Sequence, residues 1–211
     1  MQITRDMLKE KGACEKGYRD FCQAFPESDY PDGVEYQALL DACAENNKDN
    51  YANWLLSSFS RTNDETAVEG DLISDRSIYI CGSLKVTGKI KCKQLRVSGF
   101  IEAGGSIEAG ESIKAGGFIE AGGSIEAGWS IKAGWFIEAG WSIKAGGSIK
   151  AGGFIEAGGS IEAGGSIEAG WNYGIYAGLH VKPNSCMRYI KAITRPSNII
   201  CGEYIEGDVK R

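Results

Sequence analysis

The sequence predicts a mainly β protein in which a small helical domain precedes a triangular parallel β-solenoid. Residues 100–171 consist of twelve consecutive six-residue units of the pattern Phe/Ser-Ile-Glu/Lys-Ala-Gly-x. A fixed short period of this kind is typical of a solenoid. Phenylalanine occupies the first position of every third unit, at Phe100, Phe118, Phe136 and Phe154. Three units therefore form one coil, and the coil has three faces.

The alternation within a unit predicts which side chains form the core. Ile and Ala are two residues apart, so they point to the same side of an extended strand, and we expect them inside. Phe or Ser and Glu or Lys then point outward. The Gly that follows Ala in every unit indicates either a positive φ or a close approach of another backbone segment. The Gly at every sixth position also excludes an α-helix, because each such Gly would lower the stability of a helix by about 1 kcal/mol.

The charged side chains repeat with the same period as Phe. The first face carries Glu in every coil, the third face carries mainly Lys, and the middle face is mixed. The first face contains Glu102, Glu120, Glu138 and Glu156, and the third contains Lys114, Lys132, Lys150 and Glu168. The agreement between the two patterns supports a coil of three units.

Weaker copies of the repeat extend in both directions and set the domain boundaries. Upstream, pairs of aliphatic residues run from Leu72 to Val97. Downstream, we predict strands in the same register at Tyr173–Ile175 and Leu179–Val181, followed by an irregular last coil. The predicted solenoid covers 71–211, including an irregular C-terminal cap.

Residues 1–60 have the apolar periodicity of helices. The N-terminal part also carries much of the negative charge: residues 1–70 hold 7 basic and 14 acidic side chains, whereas residues 71–211 hold 16 and 14. We therefore predict a small acidic helical domain over 1–60 and a polar linker over 61–70. The predicted helices are Thr4–Lys11, Cys14–Ala24, Glu35–Glu45 and Tyr51–Phe59.

The repeat resembles the hexapeptide repeats of β-helices, in which an aliphatic residue recurs at every sixth position. That resemblance implies a left-handed coil, which we take as the preferred sense. The present units depart from the family pattern because most of them have Gly two residues before the Ile.

The helical segment resembles a short module that precedes repeat-rich proteins of bacteriophages and prophages. The residues that carry the resemblance are Cys14, Gly17, Phe21 and the run Trp54-Leu55-Leu56. The resemblance implies a phage origin, and it transfers no catalytic residue.

Composition and motifs exclude several classes of function. The chain has seven Cys without a C-x-x-C pair and a single His, so we predict no metal site and no cofactor. P-loop, G-x-G-x-x-G and H-E-x-x-H motifs do not occur in the sequence. The charged N-terminus does not read as a signal peptide, and no apolar stretch is long enough to span a membrane. We expect a cytoplasmic protein with reduced thiols.

Two sets of outward aromatic residues are the predicted interface residues. The column of four phenylalanines on one face forms an apolar stripe of the kind that marks an interface, and it favours a homodimer. The alternative is internal cover by residues 184–198 or by the helical domain. The second set lies at corners of the coil, where Trp is either a binding hot spot or a shield for neighbouring Gly turns. This set is Trp129, Trp135, Trp141 and Trp171.

The sequence therefore predicts a non-enzymatic binding protein, phage-encoded, that occupies a host protein such as a component of antiviral defence. One alternative is an acyltransferase-like enzyme that uses His180 as general base, and another is a self-assembling structural rod. Basic residues flanking the repeat also suit nucleic acid, although solvated strand positions explain them better. This flank contains Lys85, Lys89, Lys91, Lys93, Arg96, Arg188, Lys191 and Arg195.

Overall fold

A computed structural model describes residues 1–170, 173–178, 189–192, 199–201 and 203–206. It confirms the predicted fold class, because the protein is mainly β, with a parallel β-solenoid of about 6 turns at 18 residues per coil and a small N-terminal region with 4 helices. The left-handed sense of the coil stays a prediction.

The N-terminal region combines four helices with one short antiparallel strand pair. Its elements are β1 (Gln2–Ile3), α1 (Arg5–Glu10), α2 (Glu15–Ala24), β2 (Val34–Glu35), α3 (Tyr36–Glu45) and α4 (Asp49–Ser58). The predicted first cap is confirmed, since the Thr4 side chain accepts a hydrogen bond from the Met7 amide at 3.2 Å. Such a cap stabilises a helix start by satisfying an otherwise unpaired N–H group.

Each coil of the solenoid contributes one strand to each of three parallel sheets. We name the sheets by their outward side chains. The strands of the Phe–Glu face are β3 (Glu65–Val68), β6 (Ser83–Val86), β9 (Ile101–Ala103), β12 (Ile119–Ala121), β15 (Ile137–Ala139), β18 (Ile155–Ala157), β21 (Ile175–Ala177) and β23 (Ile199–Cys201). The strands of the mixed face are β4 (Leu72–Ile73), β7 (Ile90–Cys92), β10 (Ile107–Ala109), β13 (Ile125–Ala127), β16 (Ile143–Ala145), β19 (Ile161–Ala163), β22 (Tyr189–Ala192) and β24 (Glu203–Glu206). The strands of the lysine face are β5 (Ile78–Ile80), β8 (Leu95–Val97), β11 (Ile113–Ala115), β14 (Ile131–Ala133), β17 (Ile149–Ala151) and β20 (Ile167–Glu168).

Identical residues stack on one another along the rod. Ile119 pairs with Ile101 below it and with Ile137 above it, and the neighbouring Glu and Ala positions follow the same register. The Ile side chains of β9 to β19 are fully buried, and the Ala side chains of these strands are at most 8% exposed. The core is therefore a set of Ile and Ala columns, as the alternation predicts.

The Gly that follows Ala is required by a close approach of two coils. A Cβ atom added to Gly128 would lie 2.0 Å from the carbonyl oxygen of Gly110 in the coil below, and Gly134 has the same conflict with Gly116. Of the two explanations offered by the sequence, positive φ is wrong, because none of these corner glycines has it.

Gly110 lies in the same corner column as Gly128, Gly146 and Gly164, but unlike them it does not have a close approach from the coil below. A Cβ there would meet the carbonyl oxygen of Lys93 at 3.6 Å, which is ordinary van der Waals contact. The coil below is one residue short, since Ile90 and Leu95 are five positions apart instead of six. The shorter corner therefore leaves room that other corners lack.

We predict that Gly128→Ala destabilises the protein and that Gly110→Ala does not. The added methyl group at residue 128 overlaps a carbonyl oxygen, so neighbouring coils must separate, at an expected cost of about 1–3 kcal/mol. Thermal unfolding followed by circular dichroism measures both variants, and equal melting temperatures would contradict the close-approach explanation.

The solenoid begins inside the segment predicted as the linker 61–70. Strand β3 occupies Glu65–Val68 and pairs in register with Ser83–Val86 of β6. Its inward positions are Thr66 and Val68, and both are half-buried, whereas the inward residues of the coil above, Leu84 and Val86, are buried. The connection between the two parts therefore ends before Glu65.

The register after the last regular unit differs from the prediction. The strand predicted at Tyr173–Ile175 begins two residues later, and Ile175, not Tyr173, takes the place above Ile155. The column accepts an Ile-x-Ala triplet, which Ile175–Ala177 supplies, while Tyr173 is excluded and 51% exposed. The strand predicted at Leu179–Val181 lies outside the described residues. Beyond this point β22 and β24 extend the mixed face and β23 extends the Phe–Glu face.

The helical region packs directly against the first two coils of the solenoid. Tyr79 in β5 is 2% exposed and belongs, with Cys81, to the hydrophobic core of the helices. Its hydroxyl donates to Asp49 at 2.8 Å, and Lys93 donates to the same carboxylate at 2.6 Å. Burial raises the pKa of Asp49, but the hydrogen bonds from Lys93 and Tyr79 outweigh it and hold the pKa below its usual value.

One coil later, Arg96 binds the α4 side chains of Asn53 and Ser57.

Gln37 in α3 caps the edge of β5, the terminal strand of the lysine face. Its amide group donates to the carbonyl of Tyr79 at 2.7 Å, and its carbonyl accepts from the amide of Cys81 at 3.1 Å. These two bonds imitate the ladder that a further strand would form. An unpaired edge strand is a template for unwanted pairing, so this side chain closes the end of the lysine face.

We predict that Gln37→Leu lowers the free energy of unfolding by about 1–3 kcal/mol for each backbone group left unpaired. Leu retains much of the volume but neither hydrogen bond. Urea unfolding followed by fluorescence provides the measurement, and a midpoint equal to that of the wild type would show that the cap contributes nothing.

Candidate interaction surface

The Phe–Glu face carries two outward columns that run along the rod. In the first column, successive phenylalanine rings stack with centroids 4.9, 4.8 and 4.8 Å apart and planes within 3° of parallel. The rings are half-buried, since each covers part of its neighbours. The predicted alignment of Phe100, Phe118, Phe136 and Phe154 on one face is therefore confirmed. On the other two faces Ser takes this position, as in the contact of Ser112 with Ser130 at 3.2 Å.

The second column of the Phe–Glu face is acidic. Lys85 pairs with Glu102 at 2.7 Å at its lower end, and the three positions above are glutamates. Burial and the like charges of Glu138 and Glu102 raise the pKa of Glu120. The face thus presents an apolar stripe beside a stripe of concentrated negative charge.

Three exposed tryptophans mark three successive corners of the coil. Trp129, Trp135 and Trp141 are 71%, 67% and 62% exposed, so most of each indole faces solvent. Trp135 directly precedes Phe136 and lies at the edge of the Phe–Glu face next to the Phe column. Trp141 lies at the opposite edge, and Trp129 lies between the mixed and lysine faces. The fourth predicted residue, Trp171, lies outside the described residues.

The helical region and the described residues of the segment 184–198, which were the candidates for internal cover of the Phe column, lie on the other two faces. The helical region packs on the lysine face, one corner away from the phenylalanine rings. Within the segment 184–198, the described residues form β22 and extend the mixed face. The remainder of that segment lies outside the described residues.

The basic flank upstream of the repeat is occupied by partners within the chain. Lys89 lies 3.6 Å from Asp71, and Lys91 lies 2.8 Å from Glu108. Lys85, Lys93 and Arg96 make the contacts given above. All five side chains of this flank therefore have internal partners, which weakens the argument for nucleic acid.

The helical region contains a cavity of 790 Å³. Its walls include the aromatic side chains of Phe21, Phe25, Tyr51 and Trp54. The Tyr51 hydroxyl donates to Asp20 at 3.0 Å, so the apolar walls are joined to a polar group. Volumes of this size are typical of sites that take a small ligand or a few apolar side chains.

His180, the general base of the acyltransferase alternative, lies outside the described residues. Among the described side chains, no group of three or more His, Cys, Asp or Glu is placed to hold a metal ion. The helices in the described part of the chain are too short or too polar to cross a membrane.

Fold and surface together define a parallel β-solenoid with an N-terminal helical region docked on its first coils. Residues 1–62 match the YdhT N-terminal domain family. The match covers the four helices and ends just before the first solenoid strand. No curated protein and no solved structure matches the chain.

Proposed function

We propose that the protein is a non-enzymatic binding protein that acts as a homodimer in the cytoplasm. The Phe–Glu face binds the second copy, and the exposed Trp129 and Trp141 together with the helical region bind a host protein. The observation that carries this proposal is the column of stacked, half-exposed phenylalanines on a flat and rigid face. Apolar patches of this kind mark interaction sites.

The second copy is favoured as the partner of this face by its repeat distance. Side chains recur every 4.8–4.9 Å along the Phe column. Another stack of β-strands has the same spacing, so every ring can meet an equivalent ring without a mismatch that accumulates along the rod. A rigid scaffold also loses little conformational entropy on binding.

Features away from the Phe column support the binding of a host protein. Trp129 is exposed at a corner that does not border the Phe–Glu face, and tryptophan is enriched among residues that dominate binding energy. The cavity of the helical region offers a second anchor point. The resemblance of this region to modules of phage and prophage proteins supports a phage-encoded chain, with a component of antiviral defence as the bound protein.

We predict that the double substitution Phe118→Ser and Phe136→Ser converts a dimer into a monomer. Ser occupies the same position on the other two faces, so the coil remains intact while the stripe loses its two central rings. Covering each ring contributes on the order of 1–2 kcal/mol. Light scattering measures the mass and circular dichroism checks the fold; a wild-type protein that is monomeric at high micromolar concentration would contradict the dimer.

Binding of a host protein is tested by affinity capture from host lysate followed by mass spectrometry. The matched control is the double variant Trp129→Gly and Trp141→Gly, in which each Trp receives the residue found at its corner in the next coil, Gly147 and Gly159. A specific partner is retained by the wild type and lost by the variant. An identical set of captured proteins would argue against the Trp corners as the binding site.

A further inference from the structure

The two columns of the Phe–Glu face make its two possible dimers electrostatically different. Each strand crosses the face from the Phe column to the Glu column, and the two columns are about 7 Å apart because they are two residues apart on a strand. Two copies can place their Phe stripes together in two symmetric ways. The rods run either antiparallel, around a two-fold axis along the strands, or parallel, around a two-fold axis along the rod.

The antiparallel arrangement brings like charges together. Rotation about an axis along the strands keeps the strand direction, so the Glu column of one copy lies over the Glu column of the other. Carboxylates already crowd one another within a single copy, as Glu120 lies between Glu102 and Glu138. A second row at contact distance would add repulsion that neither salt nor solvent screens well in a closed interface.

The parallel arrangement separates the same charges. Rotation about the rod axis reverses the strand direction, so the two Glu columns lie on opposite sides of the joined Phe stripes. They are then about 14 Å apart, which exceeds the screening length of roughly 8–10 Å at ordinary salt. This geometry holds for either handedness of the coil, because both copies share it.

The position of Trp135 fits the parallel arrangement as well. It lies on the Phe side of the face, opposite its own Glu column. In a parallel pair that edge faces the Glu column of the second copy, at the level of Glu120 and Glu138. The indole N–H can donate to a carboxylate there, and an indole that is 67% exposed in the single chain becomes covered.

We infer that the protein forms a parallel, two-fold symmetric dimer in which the Phe columns meet and Trp135 of each copy contacts the Glu column of the other. This inference rests on the proposed dimer and adds its geometry. The helical regions lie on the lysine faces, which slope away from the contact in a triangular rod, so they flank the dimer without entering it. Six coils of about 4.8 Å and a face about 20 Å wide give roughly 1,200 Å² for both copies, at the lower limit of stable interfaces.

Crosslinking of cysteines with a short bismaleimide at the two ends of the Phe column distinguishes the arrangements, because packed sheets lie about 10 Å apart and a direct disulfide does not span that distance. The variants are Phe100→Cys and Phe154→Cys, each made in a background with Cys14→Ser and Cys22→Ser, because the first of these two thiols is exposed and the second is half-buried. The two positions are three coils, or about 14 Å, apart along the rod, so a linker that spans about 10 Å joins cysteines at the same level of the rod and not cysteines at opposite ends of the Phe column. In a parallel dimer the new cysteine of one copy faces the same cysteine of the other, so each variant alone gives a covalently linked dimer with the bismaleimide.

Other outcomes separate failure of the geometry from failure of the dimer. Links that form only when the two variants are mixed would mean an antiparallel dimer and would overturn the inference while keeping the proposed function. Absence of any link in a protein that light scattering finds dimeric would place the contact on another surface and overturn both. A monomeric protein would also overturn both. The background protein with all four phenylalanines serves as the control for links through its remaining cysteines.

A second measurement addresses Trp135 directly. Trp135→Gly copies the residue of the same corner in the next coil, Gly153, and Trp129→Gly does the same with Gly147 at a corner outside the Phe–Glu face. We expect the dimer dissociation constant to rise at least about fivefold for Trp135→Gly and to stay unchanged for Trp129→Gly. Equal constants for the two variants would overturn the contact between Trp135 and the second copy.

Discussion

The close approach of successive coils at the glycine corners is the constraint on which the rest of the structure depends. Where a carbonyl oxygen lies about 2 Å from the place of a Cβ atom, as at Gly128 and Gly134, only glycine fits. This contact lets each coil sit directly on the one below, so Ile stacks on Ile and Phe on Phe. Without it the sheets would lose register, and the outward columns would not form.

The same stacking explains why the surface chemistry of this molecule is organised in columns. A single outward Phe is an ordinary surface residue, but four in register make a continuous apolar stripe. The Glu column behaves in the same way, since burial, together with the proximity of Glu138 and Glu102, raises the pKa of Glu120. The repeat therefore turns small sequence choices into extended surfaces of one chemical character.

The regular part of the fold could be predicted because one short pattern determines it. The period of Phe gives the number of units per coil, and alternation gives the inside and outside of every strand from Ile101 to Ile167. The irregular parts follow local contacts that have no periodic signal. Tyr173 lies six residues after Ile167, as the repeat requires, but its side chain is too large for the Ile column. Residues Glu65–Val68 form a strand although their composition is typical of a linker.

The contact between the helical region and the solenoid could not be predicted from the sequence either. Gln37 and Asp49 read as polar positions on helices, and Arg96 reads as one member of a basic cluster. Their partners Tyr79, Lys93 and Asn53 lie far away along the chain, so no local spacing relates them. The corners of Trp129, Trp135 and Trp141, by contrast, could be predicted from the count of the units, because a corner is defined by the repeat itself.

The interchangeability of the coils has a consequence for how such a protein changes over time. A block of three units, such as 118–135, begins and ends at equivalent points of two stacked coils. Recombination between the near-identical segments that encode these blocks can add or remove a whole coil while keeping Gln37 at one end and the irregular strands at the other. Length is thus a heritable variable of this architecture, and the reach of its surfaces can be altered without a new fold or a new kind of side-chain contact.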